Sequence, residues 1–548
     1  MASCIAWLIR LPRLTCSSSR RVFSAMSRSW PRQDRDSRSR TVRLIRARSQ
    51  SLVFMLRACR IGISSHRAGC YRYSPPRRSL RVPARCRPLL TAVNEGGAGA
   101  GIIVLERGFL ETMMIAIIGA GVSGLSCAWW LQRQGVAVRV FEAAERVGGK
   151  VSTLAADALC EQGPNMLLLD EELQQWLAEL GLSPLWPERG SGLRHVLRSG
   201  RYRPLPSGPW QLLAGSFLSW PAKWALLRGL LRPGSPKEAE ASLAEFCRRR
   251  FGQEVLDKLL DPLAGGVFAG DPEELALEET LPRLARAAAQ PLPLWRGLWR
   301  QRTARARMCT LQGGLQQLPQ RLARDLDVRL GAPVTALRRD GEGWRLRTRE
   351  GWTRAERVVL ALPADAAAEL LHPLAPEMAD ICRRIPYAPL AVVSTLLDGE
   401  AMDRPLPGYG ALHPSGEGAL TLGHLTVSNI YPHVCPAGTR LVTSFIGGRR
   451  HPESLESSDA ALLNGLNAEL EKLFGMRGKP LAQYLARWPQ ALPQGTGLQR
   501  RLRGAAAPWS GRGLHLCANW LDGASLPDCL GKGRRLAKQL AARASGFA

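Results

Sequence analysis

The segment of this sequence with the clearest chemical potential is a G-x-G-x-x-G motif formed by Gly119, Gly121 and Gly124. Between a strand and a helix, the first glycine permits a tight turn, the second lets the backbone approach a pyrophosphate, and the third allows close helix packing. The phosphates then lie against free N–H groups at the helix N-terminus. Glu142 lies 18 residues beyond Gly124, a suitable distance for a carboxylate that accepts hydrogen bonds from ribose hydroxyls. The motif predicts a dinucleotide-binding site.

A second glycine pair, Gly148 and Gly149, stands between Arg146 and Lys150. These glycines would bring a second backbone segment near the pyrophosphate, and Arg146 or Lys150 could pair with phosphate oxygens. The arrangement resembles the flavoprotein extension of the dinucleotide motif, so it favours FAD over NAD as the cofactor. The alternative is an ordinary turn that carries surface charges.

The elements that must position these residues are visible in the apolar pattern. Ile115 to Ile118 are all apolar and predict a buried parallel strand before the first glycine. Ser123 to Gln134 has helical spacing and ends at Gly135, and Val136 to Phe141 predicts a second strand. A strand, a helix and a second strand in this order form one nucleotide-binding unit.

Charge and cysteine content bear on two other classes of function. The formal net charge is +29, but residues 1–112 contribute +17 of it through 22 Arg against 5 acidic residues. The rest of the chain has no aromatic-interleaved basic stripe or zinc-finger spacing, so we expect no nucleic-acid partner. The eight cysteines after Met113 form no CxxC pair, which predicts reduced core thiols, no metal site and a cytoplasmic location.

Residues 1–112 are rich in Arg and Ser and have little apolar periodicity. Met113 and Met114 directly precede the predicted first strand, so we expect the segment to be upstream sequence that is not normally translated. An Arg-rich, acid-poor transit peptide and a genuine functional tail are the alternatives. In every case we expect residues 1–112 to be disordered and to carry no chemistry.

Further motifs follow along the rest of the chain. They are Glu161-Gln162-Gly163-Pro164-Asn165, Gly265-Gly266-Val267-Phe268-Ala269-Gly270-Asp271-Pro272, Gly313-Gly314-Leu315, Gly408-Tyr409-Gly410, Arg487-Trp488-Pro489 and Pro527-Asp528-Cys529. In their order and spacing, the chain from Met114 onward resembles the FAD-dependent protoporphyrinogen oxidase family, including its coproporphyrinogen-oxidising members. Ala518 departs from the family pattern, which usually has Gly there, so a tight backbone approach to the flavin is less certain at that point.

The resemblance implies a fold class and a domain order. We expect an α/β, Rossmann-like FAD-binding domain of the p-hydroxybenzoate hydroxylase type, discontinuous in sequence, with a mixed-sheet α+β substrate domain and a helical insertion. The predicted FAD-binding parts are 113–190, 308–370 and 480–548, the helical region facing substrate or membrane is 195–305, and the substrate-binding sheet is 371–479.

The resemblance also implies further cofactor contacts beyond the two glycine motifs. They are Gly163, Pro164, Asn165, Val334, Trp488, Asn519, Leu526 and Pro527.

For the reaction, the resemblance implies oxidation of a porphyrinogen to a porphyrin, by removal of six electrons in three two-electron steps. FAD does the redox chemistry, oxygen reoxidises it, and the protein orients the macrocycle. Arg198 matches a propionate partner, Leu390 and Tyr409 match residues that pack on the macrocycle, and Gly266 matches a loop glycine facing the pyrrole nitrogens. No catalytic residue for proton transfer is predicted, and protoporphyrinogen and coproporphyrinogen both stay open as substrates.

Other functions stay open at this point. Amine oxidases and carotenoid-type desaturases share the dinucleotide motif, and a flavin-binding scaffold without turnover is a non-enzymatic alternative. Homodimerisation is a further possibility that the sequence does not settle.

Residues 204–232 contain no uninterrupted apolar run of about 18 residues, so we predict no membrane-spanning helix. Trp210, Trp220 and Trp224 lie among basic residues there, a composition typical of a helix at the membrane interface. This would place the protein on the inner face of the cell membrane. Alternatively, the tryptophans roof the substrate pocket.

Overall fold

The computed structural model describes residues 114–301 and 306–545, together with three two-residue strands closer to the N-terminus. The part of the chain from residue 111 onward belongs to one compact unit, and residues 12–110 form another.

In the unit formed by residues 12–110, Ile102–Ile103 lies between Tyr71–Arg72 and Ala92–Val93 in a small antiparallel sheet. The rest of residues 1–112 lies outside the described residues, so the disorder expected there stays a prediction.

A five-stranded parallel sheet forms the first layer of the larger unit. Its central strand, Ile115–Ile118, is buried at all four positions because other elements cover both of its faces. The strands come from three separated stretches of the chain, as expected for a discontinuous domain. Their order across the sheet is Asp327–Arg329, Val138–Phe141, Ile115–Ile118, Arg357–Leu360 and Leu514–Leu516.

The helix Val122–Arg133 follows the first strand, within one residue of the predicted bounds, and its inner face is buried. It packs against the C-terminal helix Leu526–Ser545. Gly533 permits this packing, since a Cβ there would lie 2.7 Å from the Cys127 nitrogen and the Ser123 oxygen. The last helix therefore fixes the helix whose N-terminus faces the nucleotide site.

A seven-stranded mixed sheet forms the second layer. The long strand Tyr387–Asp398 pairs antiparallel with Thr439–Gly447 and with Ala482–Pro493. The sheet thus extends beyond the predicted range 371–479 at both ends, because strands pair with neighbours that are distant in sequence. Its order is Arg201–Pro204, Arg194–Arg198, Gly410–Leu412, Thr421–Leu425, Thr439–Gly447, Tyr387–Asp398 and Ala482–Pro493.

The helical region has a hydrophobic core of its own, built mainly from Leu and Ala side chains. None of the helices in the described part of the chain is both long and apolar enough to cross a membrane. The helices of this region are Pro209–Ala214, Trp220–Leu231, Pro236–Ala239, Leu243–Phe251, Gln253–Val255, Leu256–Leu260, Asp261–Phe268, Leu277–Thr280, Pro282–Ala288 and Leu294–Arg300.

The remaining elements connect these layers. Small sheets join Leu167–Leu169, Arg307–Leu311 and Pro184–Leu185; Ala336–Asp340, Gly343–Thr348 and Gly351–Ala355; and Thr153–Ala155 with Leu159–Glu161. The other helices are Glu171–Glu179, Gln317–Ala323, Ala364–Leu371, Pro376–Arg384, Ser415–Glu417, Val427–Ile430, Pro432–Val434, Pro452–Glu456, Asp459–Phe474 and Leu498–Gly511.

Candidate functional site

The first glycine turn shows which glycines the fold requires and which it does not. Gly119 has φ +108°, and a Cβ there would lie 2.5 Å from the Ala361 carbonyl oxygen. Gly121, by contrast, has φ −71° and would meet no atom within 4 Å if it carried a Cβ. Protein packing therefore explains Gly119 but not Gly121, whose open side is available to a ligand.

The second glycine pair packs directly on the first turn. Gly148 donates its N–H to the Ala120 carbonyl at 2.9 Å, and it forms a parallel bridge with Gly121. A Cβ on Gly149 would lie 3.4 Å from the Gly121 Cα. The structure thus brings together the two motifs that were predicted to surround a pyrophosphate.

Glu142 and Arg146 form hydrogen bonds with the backbone of these turns. The Glu142 carboxylate accepts hydrogen bonds from the Ala120 N–H at 2.6 Å and the Ala144 N–H at 3.0 Å. Arg146 directs its guanidinium to backbone carbonyls, including that of Gly149 at 2.7 Å. Glu142 therefore lies beside the glycine turn as expected, whereas Arg146 already holds the loop in which it lies.

Lys150 is the better candidate for binding an anion. Lys150 as a whole residue is only partly buried. Its ammonium nitrogen, however, is buried and has no hydrogen-bond partner among the described residues. Burial lowers the pKa of Lys150 to about 8, although the nearby Asp365 carboxylate opposes this shift. The nitrogen lies 4.8 Å from the centroid of the Tyr387 ring. A buried cation is costly without a partner, so this position fits a phosphate group.

Glu161 connects two distant parts of the chain through hydrogen bonds. Its carboxylate accepts hydrogen bonds from the Leu315 N–H at 2.7 Å and the Thr153 hydroxyl at 2.9 Å. Burial nevertheless raises the pKa of Glu161 to about 7, and these two donors only partly offset the effect. Glu161 was noted as part of a motif but not predicted as a site residue, because its partners lie in distant parts of the sequence.

The segment after Glu161 lies against both the Lys150 loop and the substrate sheet. Gly163 packs on the Lys150 carbonyl so closely that a Cβ would overlap it. The Trp488 indole N–H donates to the Gln162 carbonyl at 2.6 Å, and the Asn165 amide donates to the Gly163 carbonyl at 3.1 Å. Gly163, Pro164, Asn165 and Trp488 are thus neighbours, as the predicted flavin environment requires.

The other predicted cofactor positions border the same sheet. Val334 follows Ala332, whose N–H donates to the Glu142 carbonyl at 2.8 Å. Asn519 lies in the turn after Leu514–Leu516, and Leu526 and Pro527 begin the C-terminal helix. The Lys532 ammonium closes this turn by donating to the carbonyls of Ala518 at 2.6 Å and Gly523 at 3.1 Å. Lys532 was not predicted, since one Lys in a basic segment carries no local signal.

The predicted substrate residues do not all lie together. Leu390 pairs in register with Trp488, and both pack with Leu422 in one apolar cluster. Gly266 lies in the helix Asp261–Phe268, so the prediction of a loop glycine there was wrong. Its neighbours are apolar and its Cβ position faces Leu412, so helix packing prevails over the turn tendency of a glycine pair.

Arg198 lies farther from Trp488, and Tyr409 lies in a different apolar cluster. Four strand steps separate the strand of Arg198 from that of Leu390, which corresponds to about 19 Å at the usual strand spacing. The Arg198 guanidinium donates to the Phe217 carbonyl at 3.2 Å. Tyr409 is buried in a different cluster from Leu390. The structure therefore joins Leu390 to Trp488 but not Arg198. Tyr409 instead packs in a cluster with Cys160 and Met166, which flank the predicted cofactor residues Gly163, Pro164 and Asn165.

Comparison with known proteins identifies the family. Residues 122–541 match the family described as flavin containing amine oxidoreductase. The chain belongs to this family. The flavoprotein fold and the FAD cofactor predicted from the sequence are thereby confirmed.

Two curated relatives are protoporphyrinogen and coproporphyrinogen III oxidases. The chain is 31% identical over 428 residues to protoporphyrinogen oxidase 2, chloroplastic/mitochondrial, of Arabidopsis thaliana, covering 69% of this chain and 84% of the relative. It is 26% identical over 458 residues to coproporphyrinogen III oxidase of Bacillus subtilis, covering 77% and 96% respectively.

Solved structures support the fold of this flavin-containing oxidoreductase. A crystal structure from Exiguobacterium sp. 255-15 has a TM-score of 0.68 at 24% identity and covers 79% of this chain and 99% of its own. Cyclohexylamine oxidase from Brevibacterium oxydans has a TM-score of 0.61 at 19% identity and covers 79% and 100%. At these identities the likeness shows the fold alone.

The open side of Gly121 generates a first prediction. Gly121→Val should weaken FAD binding by roughly 1–3 kcal/mol, because the side chain would occupy ligand space without straining the backbone. Flavin content and the Kd for FAD measure the effect. Gly504→Val, at an exposed helix position with the same empty surroundings, is the control. Equal flavin content in the two variants would contradict the placement of the pyrophosphate.

The pKa of Glu161 generates a second prediction. A carboxyl whose pKa is raised to about 7 in the folded protein binds its proton more tightly when folded, so stability falls as pH rises from about 4.5 to 7. Glu161→Gln should remove roughly 3 kcal/mol of this dependence. Thermal unfolding at pH 5 and pH 8 tests it, with the exposed Glu342→Gln as control. Parallel pH profiles for wild type and Glu161→Gln would refute it.

Proposed function

We propose that this flavoprotein oxidises a porphyrinogen to a porphyrin in haem biosynthesis. The observation that carries the proposal is its similarity to protoporphyrinogen and coproporphyrinogen III oxidases over most of the length of both proteins. The alternatives within the family, oxidation of an amine or desaturation of a carotenoid, share the fold but lack this support.

The proposed reaction assigns simple tasks to the chain. FAD, when bound, accepts electrons in pairs and passes them to oxygen, which becomes hydrogen peroxide. The glycine turns and Lys150 hold the pyrophosphate, and Glu142 lies beside the turn where the ribose is expected. The substrate sheet and the helix Asp261–Phe268 form the walls that orient a flat macrocycle and exclude water.

The apolar wall near Trp488 suits the centre of such a macrocycle. Leu390 and Leu422 pack with Trp488, so a planar apolar ring placed on them would lie beside the predicted flavin environment. Gly265 leaves open space where a side chain would otherwise project. This gives an apolar surface on which an uncharged ring could pack.

Charged propionates would then reach toward the more distant part of the sheet. Arg198 lies four strands across the sheet from Leu390, on the side where the propionates would extend. Only one of its terminal nitrogens has a hydrogen bond in the described part of the chain. Its planar fork suits a carboxylate. Arg194 and Arg201 lie in the same hairpin and are the competing anchors.

The proposed role of Arg198 as the propionate anchor generates a third prediction. Arg198→Ala should leave FAD bound and lower kcat/KM by a factor that corresponds to roughly 1.5–3 kcal/mol, because one charge-assisted hydrogen bond is lost. Arg198→Lys should recover only part of the loss. Anaerobic bleaching of the flavin by protoporphyrinogen and by coproporphyrinogen, with an amine as negative control, measures turnover.

Two results would count against these assignments. If Arg198→Ala keeps normal kinetics while Arg201→Ala does not, the propionate anchor lies on the wrong residue. If the wild-type flavin bleaches with the amine and with neither porphyrinogen, the proposed substrate class is wrong.

A peripheral contact with the inner face of the cell membrane belongs to the same proposal. Trp220, Trp224, Leu227 and Leu231 lie on one face of the helix Trp220–Leu231, and they are 70%, 67%, 40% and 54% exposed. An apolar stripe of this kind on the outside of a helix marks an interaction surface. The exposed Arg228 at its edge would attract anionic lipid headgroups, whereas Arg232 forms an ion pair with Glu238.

The exposed helix face generates a fourth prediction. The protein should float with vesicles that contain anionic lipid, and Trp224→Ser should reduce the bound fraction several-fold because less apolar surface enters the interface. Trp352→Ser is the matched control, since Trp352 is 42% exposed on a different element. A wild type that stays with the unbound fraction would rule out the contact.

A further inference from the structure

Three potential metal ligands converge in the substrate domain. His413 follows the strand Gly410–Leu412, His424 lies in Thr421–Leu425, and Glu469 lies in the helix Asp459–Phe474. One ligand atom from each lies within 4.8 Å of the other two. These residues are far apart in sequence, which explains why no metal-binding motif was visible there.

The donor atoms are spaced for coordination. The His424 Nε2 and Glu469 Oε1 atoms lie 3.4 Å apart, close to the separation of two ligands at about 2.1 Å from a tetrahedral zinc ion. Thr421 Oγ1 lies 3.0 Å from His413 Nδ1, 3.3 Å from His424 Nε2 and 2.6 Å from Glu469 Oε1. The three donors therefore all lie around the Thr421 hydroxyl, which could rotate aside for a metal ion or serve as its fourth ligand.

The outer atoms of all three groups are already held by hydrogen bonds. His424 Nδ1 lies 2.8 Å from the Ser444 hydroxyl, and His413 Nε2 lies 3.1 Å from the Tyr202 hydroxyl. Glu469 Oε2 accepts the Leu420 N–H at 2.6 Å. Metal-binding histidines are commonly oriented by such a contact to their second ring nitrogen.

Burial and charge also suit a cation. His413 and His424 are 4% and 1% exposed, and the Glu469 side chain is 9% exposed. Asp261 and Glu274 form ion pairs with the arginines at the neighbouring cleft, Arg450 and Arg449. The same cleft reaches the edges of His413 and Thr421, so an ion has a path to the cluster.

We propose that His413, His424 and Glu469 bind one divalent zinc-type metal ion, with a fourth position left for water or the Thr421 hydroxyl. For this, His413 carries its proton on Nε2, where the Tyr202 oxygen accepts it, and Nδ1 turns from the Thr421 carbonyl at 2.9 Å to the metal. The ion would join the helix Asp459–Phe474 to the substrate sheet. None of the three proposed ligands is among the residues assigned above to FAD or to the porphyrinogen.

The test is zinc binding to the purified, flavin-loaded full chain after treatment with a chelator. We expect the wild type to bind one more zinc equivalent than His424→Gln or Glu469→Gln, by mass spectrometric metal analysis and calorimetric titration with zinc chloride. Using this difference removes any background from the five cysteines before Met113. Zinc should also raise the Tm of the wild type but not of these variants.

Two further variants separate the site from a simple hydrogen-bond network. Thr421→Val removes the central hydroxyl but none of the three proposed ligands, so zinc binding should persist within a few-fold. His451→Gln changes a histidine of the neighbouring cleft and should also bind normally. A wild type that binds no more zinc than His424→Gln overturns the proposal, as does loss of binding in His451→Gln alone. If both ligand variants fail to fold, absence of calorimetric zinc binding by the wild type would overturn it equally.

Discussion

The structure depends on the close approach of backbone segments at the glycine turns. Gly121 pairs with Gly148, and Gly163 lies against the Lys150 carbonyl. Main-chain groups rather than side chains therefore form much of the nucleotide surface, and its shape follows from the path of the chain. The buried strand Ile115–Ile118 and the helix that follows it keep that path fixed, because neither can shift without opening the core on both sides of the sheet.

Local patterns were enough to predict this part of the protein. The glycines from Gly119 to Gly149 lie within one short stretch, and each has a steric or ligand-binding reason that can be recognised without knowing the rest of the fold. The helix bounds and the packing of the two glycine turns on each other followed directly. The limits of the substrate sheet could not be predicted in this way. The strand Ala482–Pro493 pairs with a strand almost one hundred residues earlier in the chain, and the sequence of one strand does not show which other strand it pairs with.

The sequence also could not predict the roles of residues that depend on tertiary contacts. Arg146 and Lys150 looked equivalent as phosphate partners, yet Arg146 is bonded to carbonyls while the Lys150 ammonium is enclosed without a partner in the described residues. The turn tendency of Gly265 and Gly266 suggested a loop, but apolar neighbours hold them in a helix. Likewise His413, His424 and Glu469 become a cluster only when three elements pack together.

The enclosed Lys150 ammonium also has a consequence inside the cell. Without an anion, its buried charge lowers the stability of the chain, and phosphates of the cofactor bound there, as we propose, would relieve that cost. On that proposal, folding and cofactor uptake are coupled. A small loss of stability enlarges the unfolded fraction that proteases remove. Shortage of the vitamin from which flavins are made would thus lower the amount of this protein as well as its occupancy.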